Sequence, residues 1–118
     1  MNYPFRRADR LRLHREFKTV YQKGKRYSLS GLALWVYEDA EKTGRGPRLG
    51  LAIPRAYGNA VQRNRLKRLL REIFRLNKPE LKAEVDLVFS SRTLMPKIRY
   101  QTLEPIVQQL WQKAKIIR

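Results

Sequence analysis

The residues most suggestive of chemistry form a cationic stretch between Asn59 and Arg75. Its apolar residues have the spacing of one buried helical stripe: Leu66, Leu69, Leu70, Ile73 and Phe74. At about 100° per residue, the opposite face gathers cations, with Glu72 as its only acid. A solvated face is the alternative interpretation, but like charges one turn apart repel by roughly 0.2–0.5 kcal/mol. The pattern therefore favours a helix whose outer face binds an anionic partner.

Catalysis by side chains has little support in the sequence. The single His14 lies among arginines with only Glu16 nearby, so no hydrolase triad is suggested. The acids are scattered or collected between residues 38 and 47, which does not suggest a two-metal site. The chain has no cysteine, which excludes disulfides, thiolate nucleophiles and Cys-based zinc sites. We therefore expect a binding protein with no catalytic residues of its own.

The overall charge points to the same conclusion. The 118 residues include 27 Lys and Arg against 10 Asp and Glu, which gives a formal net charge of +17. Such an excess favours polyanions, with nucleic acid as the leading candidate and an anionic membrane surface as the alternative. No apolar run is long enough to span a membrane, and the N-terminus lacks a signal-peptide core. We expect one soluble, cytoplasmic domain over residues 1–118, with residues 1–8 as a flexible basic arm.

Hydrophobic periodicity predicts a helix before Gly24 and a second helix over the cationic stretch, with Asn59 as its N-cap and a stop at residues 77–79. Gly24 is expected to end the first helix in a left-handed conformation. A third helix should begin near Thr102, with Pro105 in its first turn and Trp111 packed in the core. Strands are predicted at residues 25–29, 32–37, 48–53 and 85–90. The order is α-β-β-β-α-β-α, a single α+β domain in which helices pack on a small mixed sheet.

Two features of this predicted sheet bear on function. Residues 38–47 are expected to form a solvent-facing hairpin loop. In the second strand, Ala33, Trp35 and Tyr37 share one face while aliphatic residues occupy the other. The aromatic face is either covered by a helix or open. Phe17 and Tyr21 of the first helix have two similar interpretations, as core residues or as stacking platforms for unpaired bases.

The cationic helix carries a specific sequence resemblance. Residues 60–72 read Ala-Val-Gln-Arg-Asn-Arg-Leu-Lys-Arg-Leu-Leu-Arg-Glu, which closely resembles the signature of the protein component of bacterial ribonuclease P. The segments 10–24, 48–53 and 85–92 resemble the first helix, third strand and fourth strand of that family. The similarity covers about residues 6 to 115, essentially the whole chain.

The resemblance implies a function that the residues alone do not. Proteins of this family pair with a catalytic RNA, and together they remove the 5′ leader from precursor tRNA. The RNA and its bound Mg²⁺ perform the hydrolysis, so the protein is a subunit of an endoribonuclease and needs no protein partner. The family fold also contains a left-handed βαβ crossover, contrary to the right-handed rule.

The resemblance also assigns site residues. The expected contacts to the catalytic RNA are Arg55, Arg63, Asn64, Arg65, Lys67, Arg68 and Arg71. The expected contacts to the leader, in a cleft between the first helix and an open sheet face, are Arg12, Arg15, Phe17, Lys18, Tyr21, Ala33, Trp35 and Arg48. Many family members have two lysines where this chain has Arg55 and Ala56, so no role is expected for Ala56.

Two other functions remain open at this point. A ribosomal or general RNA-binding protein would share the charge and the fold class, but it would not require the Arg-Asn-Arg-x-Lys-Arg arrangement. A nuclease that acts without an RNA subunit would need a catalytic constellation, which the sequence does not suggest.

Overall fold

Three helices and four strands follow one another in the predicted order. The structure is a computed structural model that describes residues 7–39 and 46–118. Its helices and strands are α1 His14–Lys23, β1 Lys25–Leu29, β2 Leu32–Glu38, β3 Arg48–Leu51, α2 Ala60–Asn77, β4 Val85–Ser90 and α3 Tyr100–Lys113. The predicted arm over residues 1–8 lies mostly outside the described residues. Its described end belongs to a 3₁₀ turn, Arg7–Asp9, in which Asp9 is buried.

The four strands form one mixed sheet in the order β1-β2-β4-β3. β2 pairs antiparallel with both β1 and β4, whereas β3 pairs parallel with β4. The predicted hairpin over residues 38–47 is therefore wrong, because β4 lies between the two strands that this segment joins. Residues 40–45 of the connection lie outside the described part of the chain. The interior position of β4 explains its largely apolar sequence, since five of its six residues, Asp86 among them, are buried.

The sheet separates two layers of helices. On one face, Leu34, Leu87 and Phe89 pack with the apolar stripe of α2 and with α3, whose Trp111 is buried as predicted. On the other face, Val88 and Leu11 pack with Val20 of α1, and Phe17 and Trp35 lie at the margin of this smaller cluster. The alternation in β2 thus divides aliphatic from aromatic side chains as the sequence indicated.

The crossover from β3 through α2 to β4 is left-handed, as expected from the family resemblance. Phe89 turns its side chain toward α2, and its carbonyl accepts the N–H of Ala52, at the end of β3, at 3.0 Å. Consider a strand of L-residues that runs upward. When the side chain of a residue points toward the viewer, the backbone N–H and C=O of that residue point to the right. Seen from α2, β3 therefore lies to the right of β4. The chain therefore runs from β3 on the right, through α2 in front of the sheet, to β4 on the left. This connection is left-handed, whereas about 98% of such connections are right-handed.

α2 begins and ends where the sequence predicted. The Asn59 side chain accepts the N–H of Gln62, and the Gln62 side chain accepts the N–H of Asn59, both at 2.8 Å. This reciprocal cap satisfies two N–H groups that the first turn leaves without helical partners. Asn77 is the last helical residue, directly before the Lys78–Glu80 turn that contains Pro79.

Two details at the other helices differ from the predictions. Gly24 is extended, with φ −85° and ψ 176°, so it is not a left-handed cap. It is required for space, because a Cβ there would lie 2.5 Å from the carbonyl oxygens of Val20 and Val36. α3 begins at Tyr100 rather than near Thr102, which places Pro105 in its second turn.

Candidate RNA-binding surface

The outer face of α2 presents the predicted cationic residues. Asn64, Arg65, Arg68 and Arg71 are exposed, and Arg63 and Lys67 are half-buried at the margins of the face. Arg55 is exposed in the 3₁₀ turn Arg55–Tyr57 that precedes the helix. All seven residues expected to contact the catalytic RNA therefore lie on this helix or on the turn that leads into it.

Two of these arginines also hold neighbouring loops. The Arg63 guanidinium donates to the carbonyl of Gly58 at 2.5 Å, which holds the turn before α2. Arg65 donates twice to the carbonyl of Ile98, at 2.8 and 3.1 Å, and so attaches the segment before α3 to the helix. Each keeps further N–H donors, because a guanidinium carries five.

The cations are crowded around Arg71. Partial burial, together with the charges of Arg10 and Arg68, lowers the pKa of Arg71. Arg10 comes close because it pairs with Leu49 in a parallel bridge, which extends the sheet beyond β3. A phosphate at this place would relieve the repulsion among like charges.

A groove of about 840 Å³ lies on the opposite face of the sheet, beside α1. Its stacking surface is formed by Trp35 of β2 and Tyr21 of α1, whose rings meet edge to face with centroids 5.1 Å apart. The Arg26 guanidinium lies 5.8 Å from the centroid of Trp35, within the range of a cation–π contact. Ala33 supplies a small, buried part of the groove wall.

Nine of the twelve described residues that line this groove were not expected from the sequence. Among them, Arg26 and Ser28 come from β1, Ser90 is the last residue of β4, and Arg92 follows that strand. Arg26 lies directly opposite Trp35 in the antiparallel pairing of β1 with β2. The register of that pairing is the signal that would have identified Arg26. Ser90 and Arg92 required the position of β4 beside β2, which no local pattern gives.

The groove continues toward α2 through two smaller depressions. The first, of about 410 Å³, shares Tyr21, Ser90 and Arg92 with the groove. The second, of about 210 Å³, shares Leu51 and Lys67 with the first. It ends among cations from α2 and from the segment before α1, since Arg10, Arg12, Lys67 and Arg71 all line it. We call these three adjoining depressions the track. It joins the aromatic face of the sheet to the cationic face of α2.

The residues expected to contact the leader do not all line the track. Tyr21, Ala33 and Trp35 line the large groove, and Arg12 and Phe17 line the small depression. Arg15 and Lys18 are exposed on α1, outside the lining of these three depressions. Arg48 does not belong to the lining either, because Asp86 and Glu16 occupy its guanidinium. The aromatic face is thus neither covered nor fully open, since α1 lies over one part of it.

Phe17 is held by a close approach to β3. A Cβ on Gly50 would lie 2.7 Å from the Phe17 ring, so the glycine makes room for the aromatic side chain. The sequence allows Phe17 to be interpreted either as a core residue or as a stacking platform. The structure is compatible with both, because the same ring packs on the sheet and lines the track.

Two further properties concern metals and membranes. Within residues 7–39 and 46–118, no group of three or more His, Asp or Glu side chains lies close enough to hold a metal ion. In the same part of the chain, no helix combines the length and the apolar character that crossing a membrane requires.

Comparison with known proteins identifies the family. The sequence model of the family Ribonuclease P matches residues 5–115. The chain belongs to the ribonuclease P protein family. Its relatives include the ribonuclease P protein component of Finegoldia magna, 39% identical over 92% of both chains. The corresponding protein of Clostridium novyi is 36% identical over 92% of this chain and 96% of its own length.

Solved structures of ribonuclease P proteins share the fold. The protein from Thermotoga maritima superposes with a TM-score of 0.76 at 29% identity, over 88% of this chain and 96% of its own. The protein from Staphylococcus aureus gives a TM-score of 0.82 at 23% identity, over 93% and 98% respectively. The family resemblance stated from residues 60–72 is confirmed. The chain is thereby placed in tRNA processing, among the protein subunits of an endoribonuclease.

Proposed function

We propose that the chain binds the catalytic RNA of ribonuclease P through the outer face of α2 and holds the 5′ leader of precursor tRNA along the track. The RNA subunit, with Mg²⁺ bound to it, hydrolyses the phosphodiester bond. The observation that carries the proposal is the series of adjoining depressions in the track, whose linings include cations of α2 at one end and the aromatic residues beside α1 at the other. The cytoplasm as the place of action, and assembly without a protein partner, belong to the same proposal.

The α2 face suits a folded RNA. It presents a rigid row of exposed cations on a helix whose other side is fixed in the core by Leu66, Leu70, Ile73 and Phe74. Phosphate contacts position a protein on RNA without reading its sequence. Guanidinium groups match phosphate geometry with paired hydrogen bonds, which explains why the face is rich in arginine.

The track suits a single strand. Each aromatic ring offers a stacking surface for a base, worth about 1–3 kcal/mol, and every base has such a surface. Lys67 and Arg92 line the same path and supply charge for the phosphates between stacked bases. Leader binding of this kind would tolerate many sequences. It would also favour precursor over mature tRNA, because mature tRNA has no leader to occupy the track.

The decisive experiment compares three mixtures at low Mg²⁺: protein alone, catalytic RNA alone and both together, each with a labelled precursor tRNA. We expect cleavage at the 5′ end of the mature tRNA only when the catalytic RNA is present, and faster cleavage when the protein is added. Cleavage by the protein alone would favour an independent nuclease. Failure of the protein to stimulate the catalytic RNA would favour a general RNA-binding protein.

The leader assignment has its own test in Trp35→Ala. This variant removes a half-buried ring from the groove, so precursor tRNA should bind the holoenzyme about tenfold more weakly, within the range for one stacked base. Binding of mature tRNA should not change. The matched control is Tyr37→Ala, which removes a half-buried ring from the same face of the same strand outside the groove lining. Equal weakening of precursor and mature tRNA by Trp35→Ala would contradict the assignment.

A further inference from the structure

An ion-pair network joins α1 to the centre of the sheet. In the first turn of α1, Glu16 Oε1 accepts the backbone N–H groups of Arg12 and Leu13, both at 3.0 Å. Its other oxygen, Oε2, accepts Arg48 Nη1 at 2.6 Å. One carboxylate therefore caps the start of the helix and binds a residue of β3 at the same time.

The other end of the network is buried in the sheet. Arg48 Nε and Nη2 donate to the two carboxylate oxygens of Asp86, each at 2.9 Å. The Asp86 side chain is only 6% exposed and that of Arg48 16% exposed. Arg48 and Asp86 lie opposite each other in the parallel pairing of β3 with β4. A paired guanidinium with so little exposure is poorly placed to contact a leader phosphate, contrary to the role expected for Arg48 from the family resemblance.

The network fixes one end of α1, and the chain itself fixes the other. At the far end, Gly24 passes so close to the carbonyl of Val36 that it cannot carry a side chain. Between the two ends, Val20 is fully buried against the sheet. The position of α1 over the sheet is therefore determined at its first turn, its middle and its last residue.

We propose that Glu16 and Asp86 are positioning residues, which act through Arg48 to set the spacing between α1 and the sheet and hence between Tyr21 and Trp35. This inference rests on the proposed function, because the spacing matters only if the leader occupies the track. It assigns Arg48 a supporting role in place of direct contact. A helix that is fixed only by apolar packing can shift by fractions of an ångström, whereas stacking surfaces must be held closely.

The test is Glu16→Gln in the reconstituted holoenzyme. The glutamine oxygen can still accept the N–H groups of Arg12 and Leu13, but the charge that binds Arg48 is lost. We expect the ratio of precursor to mature tRNA affinity to fall roughly three- to tenfold, in line with the sensitivity of bound geometry to small displacements. Assembly with the catalytic RNA should not change, because α2 lies on the other face of the sheet.

Two further variants are measured in parallel. Glu104→Gln is the matched control, since Glu104 accepts a hydrogen bond from Tyr100 at 3.0 Å within α3, on the opposite face of the sheet. It should leave the affinity ratio unchanged. Trp35→Ala tests whether the leader lies in the track at all. If Trp35→Ala lowers the ratio but Glu16→Gln behaves like Glu104→Gln, the positioning role is wrong and the proposed function stands. If Trp35→Ala has no effect, the leader assignment fails and this inference fails with it.

Arg48→Lys provides a second route to the same result. One ammonium group preserves the charge beside Asp86 but cannot span Asp86 and Glu16 as the guanidinium does. It should lower the affinity ratio in the same direction as Glu16→Gln, with folding checked by circular dichroism. If neither variant folds under conditions in which Glu104→Gln does, the network is a requirement for folding and the positioning role is overturned.

Discussion

Gly24 shows how a single residue determines the geometry between α1 and β1. A methyl group at this position would meet two backbone carbonyl oxygens at 2.5 Å, and neither can move aside as a flexible side chain would. The sequence predicts the end of the helix correctly, but Gly24 does not form the left-handed cap expected there. The actual cause is contact with Val36, which lies 12 residues further along the chain and is brought near only by strand pairing.

Gly24→Ala should therefore destabilise the fold. We expect a loss of about 1–3 kcal/mol in the free energy of unfolding, the usual cost of forcing an added carbon into a packed site. Urea unfolding followed by circular dichroism measures the change. Gln22→Ala is the control, because Gln22 is exposed near the same end of α1. A loss no larger than that of the control would contradict the steric explanation.

Glu16 should make stability depend on pH in the acidic range. Burial alone would raise the pKa of Glu16, but the N–H bonds from Leu13 and Arg12 and the charge of Arg48 outweigh it, so the pKa is lowered. A lowered pKa means that the stabilisation is present above the pKa of the unfolded chain, about 4.3, and is lost as the pH falls through the folded value.

The corresponding measurement compares the natural chain with Glu16→Gln. The difference in unfolding free energy should be largest near neutral pH. It should begin to shrink as the pH falls below about 4 and approach zero below the lowered pKa of folded Glu16, where this carboxyl group is protonated in both the folded and the unfolded chain. Urea unfolding at a series of pH values gives the profile. A difference that is constant from neutral to acidic pH would show that the charge of Glu16 does not contribute.

At the scale of elements, α2 is the part most fully predictable from sequence. Its apolar stripe, its Asn59 cap and its end at Asn77 depend on neighbours within a few residues, and all three agree with the structure. The sheet was less predictable. The strands were correct as segments, but the position of β4 between β2 and β3 depends on contacts across the whole chain, which local patterns do not contain.

The cationic face of α2 gives a prediction at this scale. Arg68→Ala should weaken assembly with the catalytic RNA by about 1 kcal/mol, roughly fivefold, as expected for the net loss of one hydrogen-bonded contact. Filter binding or fluorescence titration measures the affinity. Lys113→Ala is a charge-matched control at an exposed position of α3. Equal weakening by both variants would indicate that only net charge matters and that α2 is not a specific dock.

The candidate site was predictable in part. Site residues that lie on one helix could be assigned from the sequence, whereas residues brought together from different strands could not. Residues carried by one helix, such as Arg68 and Arg71, could be assigned together from periodicity and the family resemblance. Arg26 could not, because its place beside Trp35 depends on strand register. The family resemblance gave Arg48 a direct role, and only the fold brings Glu16 and Asp86 to it.

At the scale of the whole molecule, a net charge of +17 should make RNA binding strongly dependent on salt. Six cationic contacts on α2 and its leading turn, at about 0.7–0.9 decades each, would give at most roughly 4 to 5 decades of affinity per decade of salt. The engagement of Arg63 and Arg65 with backbone carbonyls should keep the slope below that limit. Titration of the catalytic RNA at several KCl concentrations measures it. An affinity independent of salt would contradict an electrostatic dock.

The left-handed crossover decides which face of the sheet is free to meet RNA. With the same strand order, a right-handed connection from β3 to β4 would carry α2 across the sheet to the side of α1. The helix would then compete with α1 for the Trp35 face, and the aliphatic face would lose the apolar stripe that covers it. The uncommon hand thus keeps the outer face of α2 and the Trp35 face on opposite sides of the sheet, as the proposed binding of two RNA molecules at once requires.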